Sequence, residues 1–317
     1  MQGRAPASEA GRRALVTRRM RELLAPYRGG VYDLVAYHLG WVDADGNPAE
    51  ASGGKLVRPL LCLAAARGYG DERAALDAAV AIELLHAFSL VHDDIEDGDT
   101  ERRHRPTLWA LRGVPLAINA GDSLFALAHR VLIDAVASLT APDGLLALRI
   151  FAEAALRMIE GQHHDLEFEA RPSVSLSEYL RMTSGKTGAL IGASLALGGV
   201  FGGAPERDVD VLRDAGVAIG VAFQAVDDAL GVWGDARRTG KAVGNDLARG
   251  KKSLPVVLRA SLGIDGHDGN AALRSATLSV AREHAERGRE LLRRTAMTSA
   301  ALADIESMIE FILERES

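Results

Sequence analysis

The sequence predicts an all-α fold: one large helical bundle, spanning residues 1–317 as a single domain, around a central cavity with a polar mouth. Three observations lead there. Apolar stretches rich in alanine and leucine recur with a helical period along the whole chain. The segments between them are short and gather glycine, proline, aspartate and serine, and no alternating strand pair or hairpin signal is visible. Two of the most apolar stretches end on paired aspartates.

In chain order, helices are expected at about 10–39, 55–69, 73–97, 115–138, 143–169, 177–201, 207–233, 253–262 and 270–315. The first is arginine-rich and lacks an apolar core, so it reads as an amphipathic surface or subunit-contact helix and not as a secretory leader. GWVDADGNPAEASGG breaks the chain before 55–69. Residues 73–97 contain no glycine or proline and read as one long buried helix. TAPDG, ARPSVS, GGAPE and GIDGHDGN separate the later helices. The uncharged run 187–205 contains six glycines, so a closely packed buried helix is expected there, and no transmembrane segment. The last stretch, including ERGRELLRR and IESMIEFILERES, reads as a surface-packed amphipathic helix. Trp41, Trp109 and Trp233 are expected to pack and not to bind a cofactor.

Composition narrows the function. A formal charge of −6 argues against a nucleic-acid surface. The single cysteine, Cys62, forms no intrachain disulfide; it lies in an apolar run, and a reducing cytoplasm is the expected compartment. Only five of the 37 basic residues are lysine. Four of them, Lys55, Lys186, Lys241 and Lys251, lie beside glycines or acidic clusters, which points to a few places that need a compact cation.

LVHDDIEDGDTERRHRPT (90–107) holds the first cluster. Asp93 and Asp97 are four apart and share a helix face, with Asp94 about 100° round. His86 lies two turns deeper on the same face. FQAVDDALGVWGD holds the second, with Asp227 and Asp228. A solvated helix end is the plain explanation for an aspartate pair. It fits poorly, because carboxylates oppose the macrodipole at a C-terminus and are costly on apolar helices without a cation. Oxygen-only ligands with room for water suit Mg²⁺ shared with a diphosphate. Arg58, Arg102 and Arg103 join the lysines as partners for two anionic groups.

Taken together and in order, GGKLVRP, LVHDDIEDGDTERR, GKTGALI, FQAVDDALGVWGD and GKAVGNDLARGKKSLP resemble the trans-isoprenyl diphosphate synthase (polyprenyl synthetase) family over nearly the whole chain. The resemblance implies that Asp93 and Asp97 bind Mg²⁺ with Asp94 in support, that Asp227 together with Asp228 binds a further Mg²⁺ from the opposite side, three ions in all with substrate bound, and that Mn²⁺ can substitute. It implies that Arg102, Lys186, Gln224, Lys241 and Lys251 contact an allylic diphosphate. Lys55, Arg58, His86 and Arg103 would hold isopentenyl diphosphate. Lys186, Thr187 and Gln224 would stabilise an allylic cation, and the protein would be a cytoplasmic homodimer. Two positions depart from the family pattern. Gly231 stands where many members have a third aspartate, with Asp246 a candidate substitute, and His104 stands where many have glycine.

Product length is read from Ser89 and Phe88, four and five residues before Asp93. One large and one small residue at this depth resemble geranylgeranyl (C20) synthases, with farnesyl or longer (C25 and above) products the alternatives. A class I terpene cyclase of the same fold is a rival, set apart by the second cation group. A non-catalytic partner subunit is another, and would need neither acidic cluster. His163 and His164 with Asp165 have the residue types of a metal site, but lining the cavity wall near the phosphates or capping polar helix contacts is the plainer expectation.

Overall fold

A computed structural model describes residues 8–49, 54–234, 251–263 and 270–314. The described chain is helical almost throughout. Helix α1 is Glu9–Leu24, α2 Val31–His38, α3 Val57–Arg67 and α4 Leu76–Glu96. Next come α5 Leu108–Arg112, α6 Val114–Ala135, α7 Ala141–Glu169, α8 Leu176–Thr183 and α9 Ala189–Gly202. The last four are α10 Glu206–Trp233, α11 Leu254–Leu262, α12 Asn270–Leu292 and α13 Ser299–Glu314.

Helix α10 packs against both α9 and α12, α4 against α6, and α3 against α9. Glycines set the α9–α10 spacing: a Cβ on Gly216 would meet Gly192 Cα at 2.6 Å, and one on Gly220 would meet Gly188 Cα at 2.5 Å. The uncharged run is packed as expected, with every residue from Ala189 to Phe201 buried. By length and composition alone, three other segments, Glu72–Glu96, Val114–Ser138 and Glu206–Trp233, are long and apolar enough to cross a membrane. Their apolar faces supply the interior of the bundle here.

Four element expectations need correction. Residues 10–39 are two helices, because Gly29 and Gly30 take positive φ of 77° and 59° and turn the chain. Residues 270–315 also divide, into α12 and α13. Met297 leaves the helical path to bury itself against Gly68, where a Cβ would lie 2.2 Å from the Met297 side chain, and Thr298 N–H bonds Gly68 O at 3.1 Å. Residues 73–97 begin as a 3₁₀ turn, Glu72–Ala75, capped by the Asp71 side chain on Arg73 N–H, before α4 starts. A small hairpin exists where none was expected: β1 Glu101–Arg102 pairs antiparallel with β2 Arg105–Pro106. Arg103 and His104 at its tip have φ of 53° and 60°, the backbone of a type I′ turn without its usual glycine or asparagine.

The three tryptophans pack on the core clusters. Trp41 also carries the Arg21 guanidinium, and Trp109 Nε1–H bonds Asp99 O at 2.8 Å.

Candidate active site

The last turn of α4 forms one acidic wall. Asp97 caps that helix, its N–H bonding Asp93 O at 2.8 Å, so the two carboxylates stay on one face. Asp94 points away into the protein and is 2% exposed. Its Oδ1 accepts from Arg102 Nε at 2.7 Å, tying the hairpin to the helix that precedes it. Poor solvation is the main cause that lifts the Asp93 and Asp94 carboxyls to about 6. For Asp93 the Lys186 charge opposes the lift and Asp97 adds to it; for Asp94 Arg102 opposes it.

The second wall is the last two turns of α10. This helix stops at Trp233, and Gly234 is extended. Lys241, Asp235 and Asp246 lie outside the described residues. Burial lowers the Arg58 pKa, and Glu83, Asp227 and Asp93 oppose it in that order, so a single guanidinium feels both walls.

Cations from three elements meet the acids. Lys251 Nζ lies 3.0 Å from Asp97 Oδ2. Lys186 Nζ lies 2.5 Å from Asp165 Oδ2 on α7. Burial alone would lower the Lys186 pKa, but Asp165 and Asp93 outweigh it and the net shift is upward. Lys186 and Thr187 stand on a one-turn π-helix, Ser184–Gly188, a local widening often found at functional sites. Gly161 on α7 permits that turn to approach: a Cβ there would lie 2.1 Å from Lys186 N. Asp165 comes one turn later on the same face of α7.

A second cation group lies toward α2, α3 and the hairpin. Arg103 rests on the backbone of Gly54, where a Cβ would meet its Nη2 at 2.8 Å and φ is +84°. Lys55 lies under the ring of Phe311 on α13, 5.1 Å from its centroid, and its carbonyl accepts from Arg13. Burial, then Arg58 and Arg103, hold His86 far below its usual pKa, so its imidazole is neutral at pH 7. His38 on α2 is lowered to about 3 by burial and by Arg102 and Arg103.

Behind the walls runs a chain of hydrogen bonds. Thr187 Oγ1 donates to Gln224 Oε1 at 2.8 Å, and Gln224 Nε2 donates to Asp228 Oδ1 at 2.8 Å. Asp228 Oδ2 accepts from Tyr179 Oη and from Leu254 N–H, each at 2.7 Å. Asp228 thus holds three donors, which differs from the metal-binding part expected of it. Desolvation lifts its carboxyl to about 6 against those hydrogen bonds.

Other expected residues fall elsewhere. Phe88 is 8% exposed and packs into the core, its ring 5.0 Å edge-on from Phe125 and 4.8 Å from His92. Ser89 Oγ donates to His86 O at 2.9 Å. His163 and His164 turn outward and meet Glu167 at 3.4 Å each, while Asp165 turns in to Lys186. Sequence reasoning missed Tyr179, Glu83 and His38, and it singled out Asp165 without its partner Lys186. Glu83, three before His86 on an apolar helix, was the one with a readable signal.

Among the described residues no three carboxylates or imidazoles converge on one point. Mg²⁺ is a cation that one or two carboxylates can hold, with water and substrate phosphate completing its shell. The donors are hard oxygens, and poorly solvated like charges on one wall favour a divalent ion between the walls.

The polyprenyl synthetase family model matches residues 47–281. A farnesyl diphosphate synthase of Mycobacterium bovis is 37% identical over 336 aligned positions, covering 96% of this chain and 91% of that protein. A geranylgeranyl diphosphate synthase of Mycobacterium tuberculosis is 41% identical over 275, covering 86% and 76%. The crystal structure of a polyprenyl synthetase from Streptomyces coelicolor superposes with a TM-score of 0.86 at 38% identity, covering 95% of this chain and 97% of that one. With the family model matched over most of its length and relatives this similar in sequence and fold, this chain belongs to the polyprenyl synthetase family of trans-prenyltransferases.

Proposed function

We propose that the protein condenses isopentenyl diphosphate head-to-tail with an allylic diphosphate and that geranylgeranyl diphosphate is its main product. The observation that carries this reading is the division of cations into two groups. Lys186, Lys251 and Arg102 sit on or beside the acidic walls. Lys55 and Arg103 lie apart, beside Phe311 and Gly54, and Arg58 on α3 is the member of this second group whose charge also reaches Asp227 and Asp93. A cyclase of one substrate needs only the first group.

Asp93, Asp97 and Asp227 are the residues that would hold Mg²⁺, which when bound draws charge from the departing diphosphate. Lys186, Lys251, Arg102 and Lys241 hold that diphosphate as the allylic C1–O bond breaks and the electron pair leaves with it. Thr187 and the Lys186 carbonyl face the cation. Lys55, Arg58, Arg103 and neutral His86 hold isopentenyl diphosphate so that its double bond attacks C1. The new C–C bond takes the alkene pair, a C2 proton passes to the diphosphate, and a double bond re-forms within the added unit. Positioning and electrostatics do the work, since no covalent step involves the protein.

A C20 product is supported by Phe88 one turn and a fraction below Asp93, with small Ser89 beside it. A C15 product is the second reading, because Phe125 backs the Phe88 ring and the M. bovis relative is named as a farnesyl synthase. Chromatography of products from dimethylallyl, geranyl and farnesyl diphosphates, each with isopentenyl diphosphate and Mg²⁺, tests both. C20 from all three starters supports the proposal. A main product of another length, or an unchanged product from Phe88→Ala, contradicts the assignment of length. Cyclic hydrocarbon from the allylic substrate alone contradicts the reaction.

We also propose that the chain acts as one domain, as a cytoplasmic homodimer. Cys62, the single cysteine, is fully buried, with its thiol pKa raised by burial, which suits a reducing compartment. Exposed Val114, Leu116 and Ile118 on α6 with Leu145, Leu156 and Ile159 on α7 support a self-contact.

A further inference from the structure

The hydrogen bonds behind the second wall all run one way. Tyr179 and Leu254 N–H can only donate to Asp228 as the phenol and amide stand. Asp228 can receive Gln224 only through the amide NH₂, so the Gln224 carbonyl is turned to Thr187. Thr187 is 7% exposed and spends its one hydroxyl hydrogen on that carbonyl. What it has left for the site is lone pairs.

We propose that Tyr179, Asp228 and Gln224 are a positioning relay that fixes the direction of the Thr187 hydroxyl, so that its oxygen and not its hydrogen faces the allylic cation. This rests on the ionisation chemistry proposed above and adds Tyr179, and a definite part for Asp228, to it. The relay also couples the site to fold elements that carry no substrate contact. Tyr179 brings in α8, and Leu254 N–H is the first amide of α11, just after Lys251. Asp228 is the common acceptor of the whole set. Hydrogen-bond chains polarise in the direction of their acceptor, so a carboxylate at the far end makes the Thr187 oxygen a better partner for positive charge.

The directionality makes a sharp test. In Asp228→Asn the new amide keeps its oxygen toward Tyr179 and Leu254 N–H, where two donors are, and turns its NH₂ to Gln224. Gln224 must then flip, present NH₂ to Thr187, and leave the hydroxyl hydrogen aimed at the cation. We expect kcat to fall about 100-fold, the scale of losing one preorganised group in a charge-stabilising site. KM for isopentenyl diphosphate should stay within about twofold, because Lys55, Arg58 and Arg103 are untouched. Adding Gln224→Glu supplies a carboxylate that accepts from both neighbours and restores the direction. The Asp228→Asn/Gln224→Glu pair should regain about tenfold in kcat at unchanged net charge. Tyr179→Phe, which removes one donor but reverses nothing, should lower kcat by less than the asparagine variant and leave KM alone. It carries the test if Asp228→Asn does not fold, as judged by circular dichroism. Unchanged kcat in the folded asparagine variant, or a double variant no faster than the single, overturns the relay. So does a Tyr179→Phe whose loss lies wholly in KM. A wild-type protein that elongates no substrate overturns instead the proposed function.

Discussion

Burial lifts the carboxyls of Asp93, Asp94 and Asp228 to about 6, against an ordinary value of 3.8. A raised carboxyl stabilises the folded state fully below 3.8, and that contribution is lost as pH rises through about 6. At pH 7 the metal-free wall therefore carries the desolvation cost of its buried charges. Removing one charge should show it. Asp93→Asn should gain melting temperature relative to wild type between pH 5 and pH 7.5 when no metal is present, because only wild type carries the penalty at the higher pH. A difference between the two proteins that stays flat over that range would contradict the shift. The shared face of Asp93 and Asp97 was legible in the sequence, because a spacing of four fixes it. The pairings of Asp165 with Lys186 and of Tyr179 with Asp228 were not, because each contact joins segments far apart in the chain. His104 was read as a departure in a loop. Its φ of 60° explains why glycine is the easier residue there.

At the scale of elements, the π-turn carrying Lys186 is held where it is by a single glycine on α7. Gly161→Ala would place a methyl against Lys186 N, and the backbone must move. The expected cost is about 1–3 kcal/mol, as for other overpacked sites. A fall in kcat larger than the loss of stability explains should accompany it, since Lys186 and Thr187 shift together. A Gly161→Ala protein with wild-type melting and rate would show that the turn does not depend on this contact. Periodicity located most helices, since their apolar faces follow 3.6 residues per turn. It missed the hairpin, whose tip uses arginine and histidine in place of the glycine or asparagine that signals a type I′ turn. It joined α12 to α13 because the break between them is made by Met297 reaching Gly68, a tertiary contact with no glycine or proline in the chain to announce it.

For the whole molecule, most of the exposed large apolar side chains among the described residues lie on α6 and α7. Leu145 and Leu156 on α7 are 67% and 61% exposed, and Leu116 on α6 is 47% exposed. A lone chain gains nothing from this surface, whereas a second copy would bury it. Sedimentation should give twice the chain mass of 33.7 kDa for wild type and the single mass for Leu145→Arg/Leu156→Arg. A wild-type monomer would contradict the proposed dimer. The order of motifs along the chain gave the architecture and the walls. It did not give product length, which depends on how Phe88 and Phe125 fill one space from two helices.

The account stands or falls on two carboxylate walls acting together through bound divalent metal. The most direct measurement is the rate of C5 addition to geranyl diphosphate by wild type, Asp93→Ala and Asp227→Ala, with Mg²⁺ and with excess chelator. The account predicts that either substitution lowers the rate by about 10³-fold or more, and that chelator abolishes wild-type turnover. Elongation that continues in chelator, or that survives the loss of either aspartate, would contradict it.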